Sequence, residues 1–205
     1  LKLAELRRHS ALVPLANALE RTLWSTFSAE ERAWIERIEA ARAELEGSTQ
    51  LVALEGSAPG SMVFGRVVEI RANERFFTRS IREIVKRSTK PAGQARLLFH
   101  LVRQFEPQNC LELGTCVGMS AAYQAAALEL NGRGHLTTIE GHAALAKFAQ
   151  QHLERLGLRR VAVKQGRFRE VLQGVLDDLA SLDYVFVDGD HEEEPTLRYF
   201  NQLIP

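Results

Sequence analysis

The spacing of apolar residues in the first half of the chain is mainly helical. Residues 1–46 place leucine at loosely helical intervals, and Ser28-Ala-Glu-Glu is typical of a capping box that opens a helix. Residues 47–65 contain Gly, Ser and Pro with little periodicity, which indicates a linker or mobile loop. A further helix is predicted to begin at Pro91 and to end near Pro107. This half therefore predicts helices with one irregular interruption.

The second half of the chain alternates between short apolar segments and longer helical segments. Such alternation is typical of βαβ units, whose strands are parallel and whose connections are right-handed. Ligands of parallel sheets lie beyond the carboxyl ends of the strands, so we expect the functional residues in the loops that follow them. The predicted strands span residues 109–113, 136–140, 161–165 and 184–188, and the predicted helices span residues 120–130, 143–156, 168–179 and 196–203.

Composition narrows the class of protein without identifying it. The 205 residues suffice for one domain with an appendage, and 26 Lys+Arg balance 26 Asp+Glu, so no net charge favours nucleic acid. Residues 66–103 hold ten basic against three acidic residues, but aromatic residues are not interleaved with them, which favours a solvated helical face over a nucleic-acid surface. No apolar run approaches the roughly 20 residues of a membrane span. Two cysteines form neither a disulfide framework nor a metal motif, so a cytoplasmic location is expected.

The loop after the first predicted strand holds the first candidate ligand-binding residues, and runs Glu112-Leu-Gly114-Thr-Cys-Val-Gly118-Met-Ser120. Gly114 permits a sharp turn with backbone amides close to a ligand, and Gly118 permits close packing of the next helix. Ser120 can cap that helix, whose free N–H groups attract anions. The glycines do not form GxGxxG, which disfavours a nicotinamide dinucleotide. A purely structural role for the glycines is the alternative.

Glu140 ends the second predicted strand, 28 residues after Glu112, which is one βαβ step. A carboxylate at this position can accept hydrogen bonds from ribose hydroxyls, as it does in dinucleotide-binding folds. The alternative is a solvated acid in a loop.

Four motifs in this order resemble those of class I S-adenosylmethionine (SAM)-dependent methyltransferases: ELGTCVGMSA, TIEG, GRF and FVDGDH. The sequence is similar in particular to the catechol and caffeoyl-CoA O-methyltransferase-like group and its bacterial small-molecule relatives, whose first loop runs E-L-G-x-x-x-G-x-S. In that group a Gly-Gln pair begins the helix before the first strand of the sheet, and Lys90-Pro-Ala-Gly-Gln94 resembles that segment. The likeness covers about residues 88–205. It implies an α/β, Rossmann-like, doubly wound parallel sheet and SAM-dependent methyl transfer to a hydroxyl oxygen of a small molecule.

The resemblance also implies roles for residues in the first two loops. Glu112 would orient its loop or hold the methionine amino group, and Gly114 would lie against the cofactor. Ser120 would bond the methionine carboxylate, which the helix dipole also favours. Glu140 would hold the ribose, with Gly141 beside the adenosine.

The third loop is expected to border the adenine. Gly166, Arg167 and Phe168 match the family's segment there. Phe168 could pack on the adenine ring or could be a core aromatic residue that starts a helix.

The fourth predicted strand leads into Asp188-Gly-Asp190-His191. In the metal-dependent relatives the aspartate at position 188 binds a divalent cation that polarises the acceptor hydroxyl, and Mg²⁺ or Ca²⁺ suits oxygen ligands. Where the catechol-type enzymes carry a lysine, this sequence has His191, and an imidazole with its ordinary pKa of about 6.5 is a competent base. Asp188 and His191 are therefore the candidate catalytic residues. The alternative is that Asp190 and His191 only hold the loop in place.

The sequence as a whole predicts two parts, an N-terminal helical appendage and a ligand-binding domain. Residues 1–65 are expected to form a helical appendage and linker that packs on the domain or forms a homodimer, and residues 66–205 a SAM-binding domain. Because such domains normally have seven strands, we expect the C-terminal strands to be missing from this chain. The expected partner is a small-molecule hydroxyl acceptor, with no nucleic acid and no membrane. A SAM-binding relative without catalysis and a nicotinamide-dependent oxidoreductase are the alternative functions.

Overall fold

The N-terminal part of the chain is helical, as the leucine spacing predicts. The computed structural model describes residues 3–55, 62–63, 66–67 and 76–204. The predicted capping box is confirmed, because the Glu31 N–H donates to Ser28 Oγ (3.2 Å) and the Ser28 N–H donates to the Glu31 carboxylate (2.8 Å). None of the helices in these ranges is both long enough and apolar enough to cross a membrane. The first helices are α1 (Leu3–Leu6), α2 (Val13–Leu23) and α3 (Ala29–Gly47), with a 3₁₀ turn at Ser10–Leu12.

Two short antiparallel ladders follow, and one strand of each lies within the predicted linker, residues 47–65. β1 (Leu51–Glu55) pairs with β4 (Phe76–Ser80), and β2 (Met62–Val63) pairs with β3 (Arg66–Val67). In β1 every second residue is buried, because one face of the strand packs on the core. The rest of the predicted linker, residues 56–61 and 64–65, lies outside the described residues.

A four-stranded parallel sheet forms the second half of the chain, and the predicted βαβ alternation is confirmed. The strand order is β7-β6-β5-β8, so the direction of winding reverses between β5 and β8. Such a reversal opens a crevice at the carboxyl ends of the strands. The elements are α4 (Ile81–Ser88), α5 (Ala92–Phe105), β5 (Asn109–Leu113), α6 (Met119–Asn131), β6 (His135–Glu140), α7 (Ala143–Arg155), β7 (Val161–Gln165), α8 (Phe168–Asp177), β8 (Tyr184–Val187) and α9 (Glu193–Leu203).

The N-terminal helices share a hydrophobic core with the sheet. Helix α2 packs against α5, and α3 packs against α4 and α6. Ile38 of α3 and Leu54 of β1 belong to the same buried cluster as Val117 and Tyr123. The described helices therefore stabilise the scaffold of the sheet directly. The predicted domain boundary at residue 65 lies outside the described residues.

One buried carboxylate joins three helices. Glu31 is 3% exposed and accepts hydrogen bonds from Arg21 of α2 and from Arg103 Nε of α5 (3.1 Å). Burial by itself would raise the pKa of Glu31, but the Ser28 N–H and the two guanidinium groups hold it below its usual range. Glu31 is thus a charged junction between α2, α3 and α5.

Candidate functional site

A cavity of about 530 Å³ opens at the carboxyl ends of the parallel strands. The loops that follow β5, β6, β7 and β8 all line it, as expected for a sheet whose strand order reverses at β5. Two further contributions come from the N-terminal half, namely Glu55 at the end of β1 and the segment 87–90 before α5. The cavity is therefore built by both halves of the chain.

The loop after β5 passes very close to the end of β8. Gly114 has φ +107°, and a Cβ there would lie 2.8 Å from the carbonyl carbon of Asp188 and closer still to its oxygen. The Asp188 N–H donates to the Leu113 carbonyl at 2.8 Å, which fixes the two strand ends together. Only glycine meets both requirements, so Gly114 holds the backbone at the cavity wall.

Two of the predicted glycines pack away from the cavity in the described structure. A Cβ at Gly118 would lie 3.4 Å from Ala149 Cβ, so this glycine allows α6 and α7 to approach closely. A Cβ at Gly166 would collide with Val171 of α8. Both glycines have positive φ values and neither is among the residues that line the cavity. Their positions are those of turn and packing residues.

Glu112 lies behind the loop and not in the cavity wall. It is fully buried, and it accepts hydrogen bonds from Gln124 Nε2 (2.8 Å) and Thr138 Oγ1 (2.5 Å). Burial raises its pKa to about 7, although hydrogen bonds from Ser120, Thr138 and Gln124 oppose the shift. Ser120, at the start of α6, links this carboxylate to the cavity that it lines. Glu112 thus holds the first turn of α6 in place.

Glu140 lies in the wall at the end of β6 with both carboxylate oxygens engaged. The Cys116 N–H donates to Oε2 and the His142 N–H donates to Oε1, each at 2.8 Å. The side chain is buried, which raises its pKa even though these backbone amides stabilise the charged form. Each carboxylate oxygen has two lone pairs, so Glu140 can still accept further hydrogen bonds from a ligand. Gly141 follows it and leaves space at the wall.

Phe168 and Arg167 form the side of the cavity that follows β7. The Phe168 ring packs edge-on to Tyr199 (5.5 Å between centroids), and a Cβ at Gly189 would lie 2.7 Å from the ring. The ring therefore belongs both to the core cluster under α8 and to the cavity wall. Arg167 immediately precedes α8 without a side-chain capping hydrogen bond, lies exposed at the cavity, and forms no ion pair within the described ranges.

The loop after β8 presents two carboxylates and an imidazole. Lys90 Nζ lies 2.6 Å from Asp188 Oδ1. Asp190 adopts a left-handed conformation (φ +53°), and its carboxylate accepts a hydrogen bond from the Tyr199 hydroxyl at 2.8 Å. Burial and the neighbouring Asp190 raise the pKa of Tyr199 to about 12, so the hydroxyl stays protonated and donates. His191 is exposed at the mouth of the cavity.

Comparison with known proteins finds a family match for the C-terminal half of the chain. Residues 111–205 match the family described as a methyltransferase domain. The C-terminal half of the chain is therefore similar to methyltransferase domains. The resemblance read from the four motifs is thereby confirmed, as is the Rossmann-like α/β fold.

Three known proteins are similar to the methyltransferase domain. Catechol O-methyltransferase of Niastella koreensis is 34% identical over 110 residues, which are 53% of this chain and 48% of that protein. The O-methyltransferase TomG of Streptomyces achromogenes, involved in tomaymycin synthesis and solved with SAM, is 31% identical over 58% of this chain and 52% of its own, with a TM-score of 0.52. The O-methyltransferase of Bacillus cereus, solved with S-adenosylhomocysteine (SAH), is 28% identical over 57% and 52%, with a TM-score of 0.51. This chain spans about half the length of these relatives.

Three residues of the cavity wall carry no strong signal in the sequence. Lys90 stands in the Gly-Gln entry motif but reaches Asp188, which is distant in the chain. Glu55 ends a strand that the sequence does not predict, and Tyr199 lies inside α9. In the sequence, residues 51–54 form a short apolar run without polar alternation, so the alternating burial of β1 is visible only in the structure.

Proposed function

We propose that the methyltransferase domain binds SAM in this cavity and transfers its methyl group to a hydroxyl oxygen of a small molecule. The observation that carries the proposal is the convergence of Gly114, Glu140 and the Asp188–His191 loop on one cavity at the reversal of the sheet. The similarity to O-methyltransferases solved with SAM and SAH supports the same assignment.

The described residues fit the methionine and ribose parts of SAM. Gly114 lets the chain turn tightly against the end of β8 and so brings its backbone to the cavity wall. The start of α6 offers free N–H groups beside Ser120 for a carboxylate. The remaining lone pairs of Glu140 suit ribose hydroxyls. Glu112 acts from behind by fixing Ser120 and the first turn of α6.

The wall after β6 and β7 fits the adenine. The space beside Gly141 is open, since a Cβ on it would meet only Arg167 Cγ, at 4.0 Å. Phe168 is held edge-on by Tyr199, which keeps part of its ring at the cavity. We therefore propose that Gly141, Arg167 and Phe168 border the base.

We place the substrate hydroxyl that accepts the methyl group at the end of the cavity formed by the loop after β8. The sulfonium of bound SAM supplies an electrophilic methyl group, so the protein has only to align the acceptor hydroxyl and remove its proton. His191 lies at the mouth with no hydrogen-bond partner in the described part of the chain, and its imidazole is free to take that proton. Asp188 is a polar anchor beside it.

A divalent cation at Asp188 does not fit the described residues. Asp188 is a single carboxylate whose oxygen is ion-paired with Lys90 at 2.6 Å. Among residues 3–55, 62–63, 66–67 and 76–204, no three His, Cys, Asp or Glu side chains are grouped to hold a metal ion. The role of Asp188 as a metal ligand stays a prediction, and the proposed transfer uses only the side chains described above.

Calorimetry with SAM, SAH and NAD tests the cofactor assignment. SAM and SAH are expected to bind with micromolar dissociation constants, and NAD is not expected to bind. Binding of NAD without SAM would favour the oxidoreductase alternative. SAM binding without SAH release in the presence of small hydroxyl compounds would favour a non-catalytic relative.

Two variants test the base assignment. His191→Ala is expected to slow turnover by about 10²–10⁴ with nearly unchanged SAM affinity, because a general base is lost. The matched control is His135→Ala, which changes the first residue of β6, at the end of the strand away from the cavity, and it should turn over normally. Equal turnover of the two variants would contradict the assignment.

The assembly and the location of the protein are further proposals. We expect a homodimer that depends on the N-terminal helices, and a cytoplasmic protein with a small-molecule partner. Light scattering of a chain without residues 1–46 checks the dimer, since a soluble protein of unchanged oligomeric state would contradict it.

A further inference from the structure

The segment between α4 and α5 places one lysine at the acceptor end of the cavity. Lys90 lines the cavity, and its ammonium lies 2.6 Å from the Asp188 carboxylate. The side chains of Lys90 and Asp188 are 31% and 13% exposed, so the pair is largely, but not fully, removed from water. A charge at such a boundary interacts more strongly with a ligand than a charge on the open surface does.

The backbone on both sides of Lys90 is fixed. Thr89 ends α4, where its N–H and its Oγ1 both donate to the Val85 carbonyl, at 3.2 and 2.7 Å. Thr89 Oγ1 also accepts a hydrogen bond from Arg42 of α3 at 3.0 Å. Pro91 follows Lys90, and its ring restricts the chain just before α5. The backbone of Lys90 is therefore held between α4 and α5, and the ion pair with Asp188 directs its ammonium.

The Lys90 ammonium has N–H groups that its ion pair with Asp188 does not use. A protonated lysine offers three N–H groups, and the carboxylate of Asp188 uses one of them. The others remain for a ligand in the cavity, which His191 also lines. An acceptor oxygen that gives up its proton to His191 develops negative charge, which a cation at hydrogen-bond distance stabilises.

We propose that Lys90 is a catalytic residue that binds the acceptor oxygen and stabilises its negative charge, with Asp188 holding the ammonium in place of a divalent cation. This inference rests on the proposed function. The acceptor O–H bond breaks and its proton passes to His191, while the oxygen forms the new bond to the methyl carbon as the carbon–sulfur bond of the cofactor breaks. Lys90 keeps its protons throughout, so it contributes only charge and orientation.

The test uses 4-nitrophenol, a chromophore that reports its own ionisation and has one hydroxyl, so that it cannot chelate a metal. It is added to the SAH-loaded protein in the presence of EDTA. The wild-type chain and Lys90→Arg are expected to shift its absorbance toward the phenolate, whereas Lys90→Met is expected to lose the shift. The matched control is Lys86→Met, which changes an exposed lysine of α4 outside the cavity wall and should behave as wild type.

Two parallel measurements separate the possible results. SAH affinity, measured by calorimetry, should be equal in all four proteins, and turnover of Lys90→Met should fall about 10²–10³-fold, the usual effect of removing one donor to an oxyanion. The inference is overturned if wild type binds SAH but gives no phenolate shift, if Lys90→Met keeps the shift, or if the shift requires added Mg²⁺. Failure of wild type to bind SAH would overturn the proposed function itself, and this inference with it.

Discussion

Replacing Gly114 with alanine tests how closely the ends of β5 and β8 must approach. The new Cβ would lie 2.8 Å from the Asp188 carbonyl carbon, whereas carbon–carbon contacts are favourable from about 3.5 Å. The end of β8 would therefore have to move by roughly 0.7 Å. Overpacking of this kind costs about 1–3 kcal/mol, and a positive φ costs alanine about 1–2 kcal/mol more. We expect the free energy of unfolding to fall by about 2–5 kcal/mol.

A matched glycine separates the two costs. Gly132 also has a positive φ (+67°), but nothing lies within 4 Å of a Cβ built on it. Gly132→Ala should therefore lose only about 1–2 kcal/mol and should bind SAH as the parent does. Urea unfolding and SAH calorimetry of both variants give the comparison. If Gly114→Ala were as stable as Gly132→Ala and kept its SAH affinity, the close approach of β5 and β8 at Gly114 would be unnecessary for stability and for cofactor binding, and the reasoning would be refuted.

Three further changes probe the cavity and the core. Glu140→Ala should weaken SAM binding by about 1–3 kcal/mol in calorimetry, since ribose hydroxyls lose their acceptor; equal affinity would place the carboxylate elsewhere. Tyr199→Phe keeps the ring on Phe168 but loses the hydrogen bond to Asp190, so turnover should fall while SAH affinity stays unchanged, and normal turnover would show that the loop needs no such support. His100 is buried with both ring nitrogens unpaired, and burial lowers its pKa to about 4. Its contribution to stability is therefore present above pH 6.5 and lost as the pH falls toward 4, so His100→Phe should flatten the pH dependence of urea unfolding across that window, and parallel curves would refute this.

The parallel sheet was predictable because its signal is local. Each strand is a short apolar run bounded by a helix of its own, and β7 occupies the predicted residues 161–165. The wall residues Gly114, Glu140 and Asp188 were predictable for the same reason, since each stands next to the end of its strand. A strand end and its loop are fixed by neighbours in the sequence, and parallel packing brings the ends together.

The remaining wall residues depend on contacts between distant segments. The pairing of β1 with β4 joins segments separated by about twenty residues, and the four-residue apolar run at 51–54 is too short to stand out beside the neighbouring Gly and Ser. Lys90 is defined as a site residue only by its distance to Asp188. Gly118 and Gly166 illustrate the converse, because a glycine that allows helices to pack looks the same in sequence as one that borders a ligand.

The junction at Glu31 also constrains the order in which the chain can assemble on the ribosome. Ser28 and Arg21 are synthesised beside Glu31, but Arg103 lies 72 residues further along. At ordinary translation rates of about 5–20 residues per second, the carboxylate waits roughly 4–14 s for its second guanidinium. During that interval a nascent α2–α3 pair cannot bury Glu31 with its full set of partners. Helices α2 and α3 therefore reach their final packing only after α5 has emerged, although they are synthesised before it.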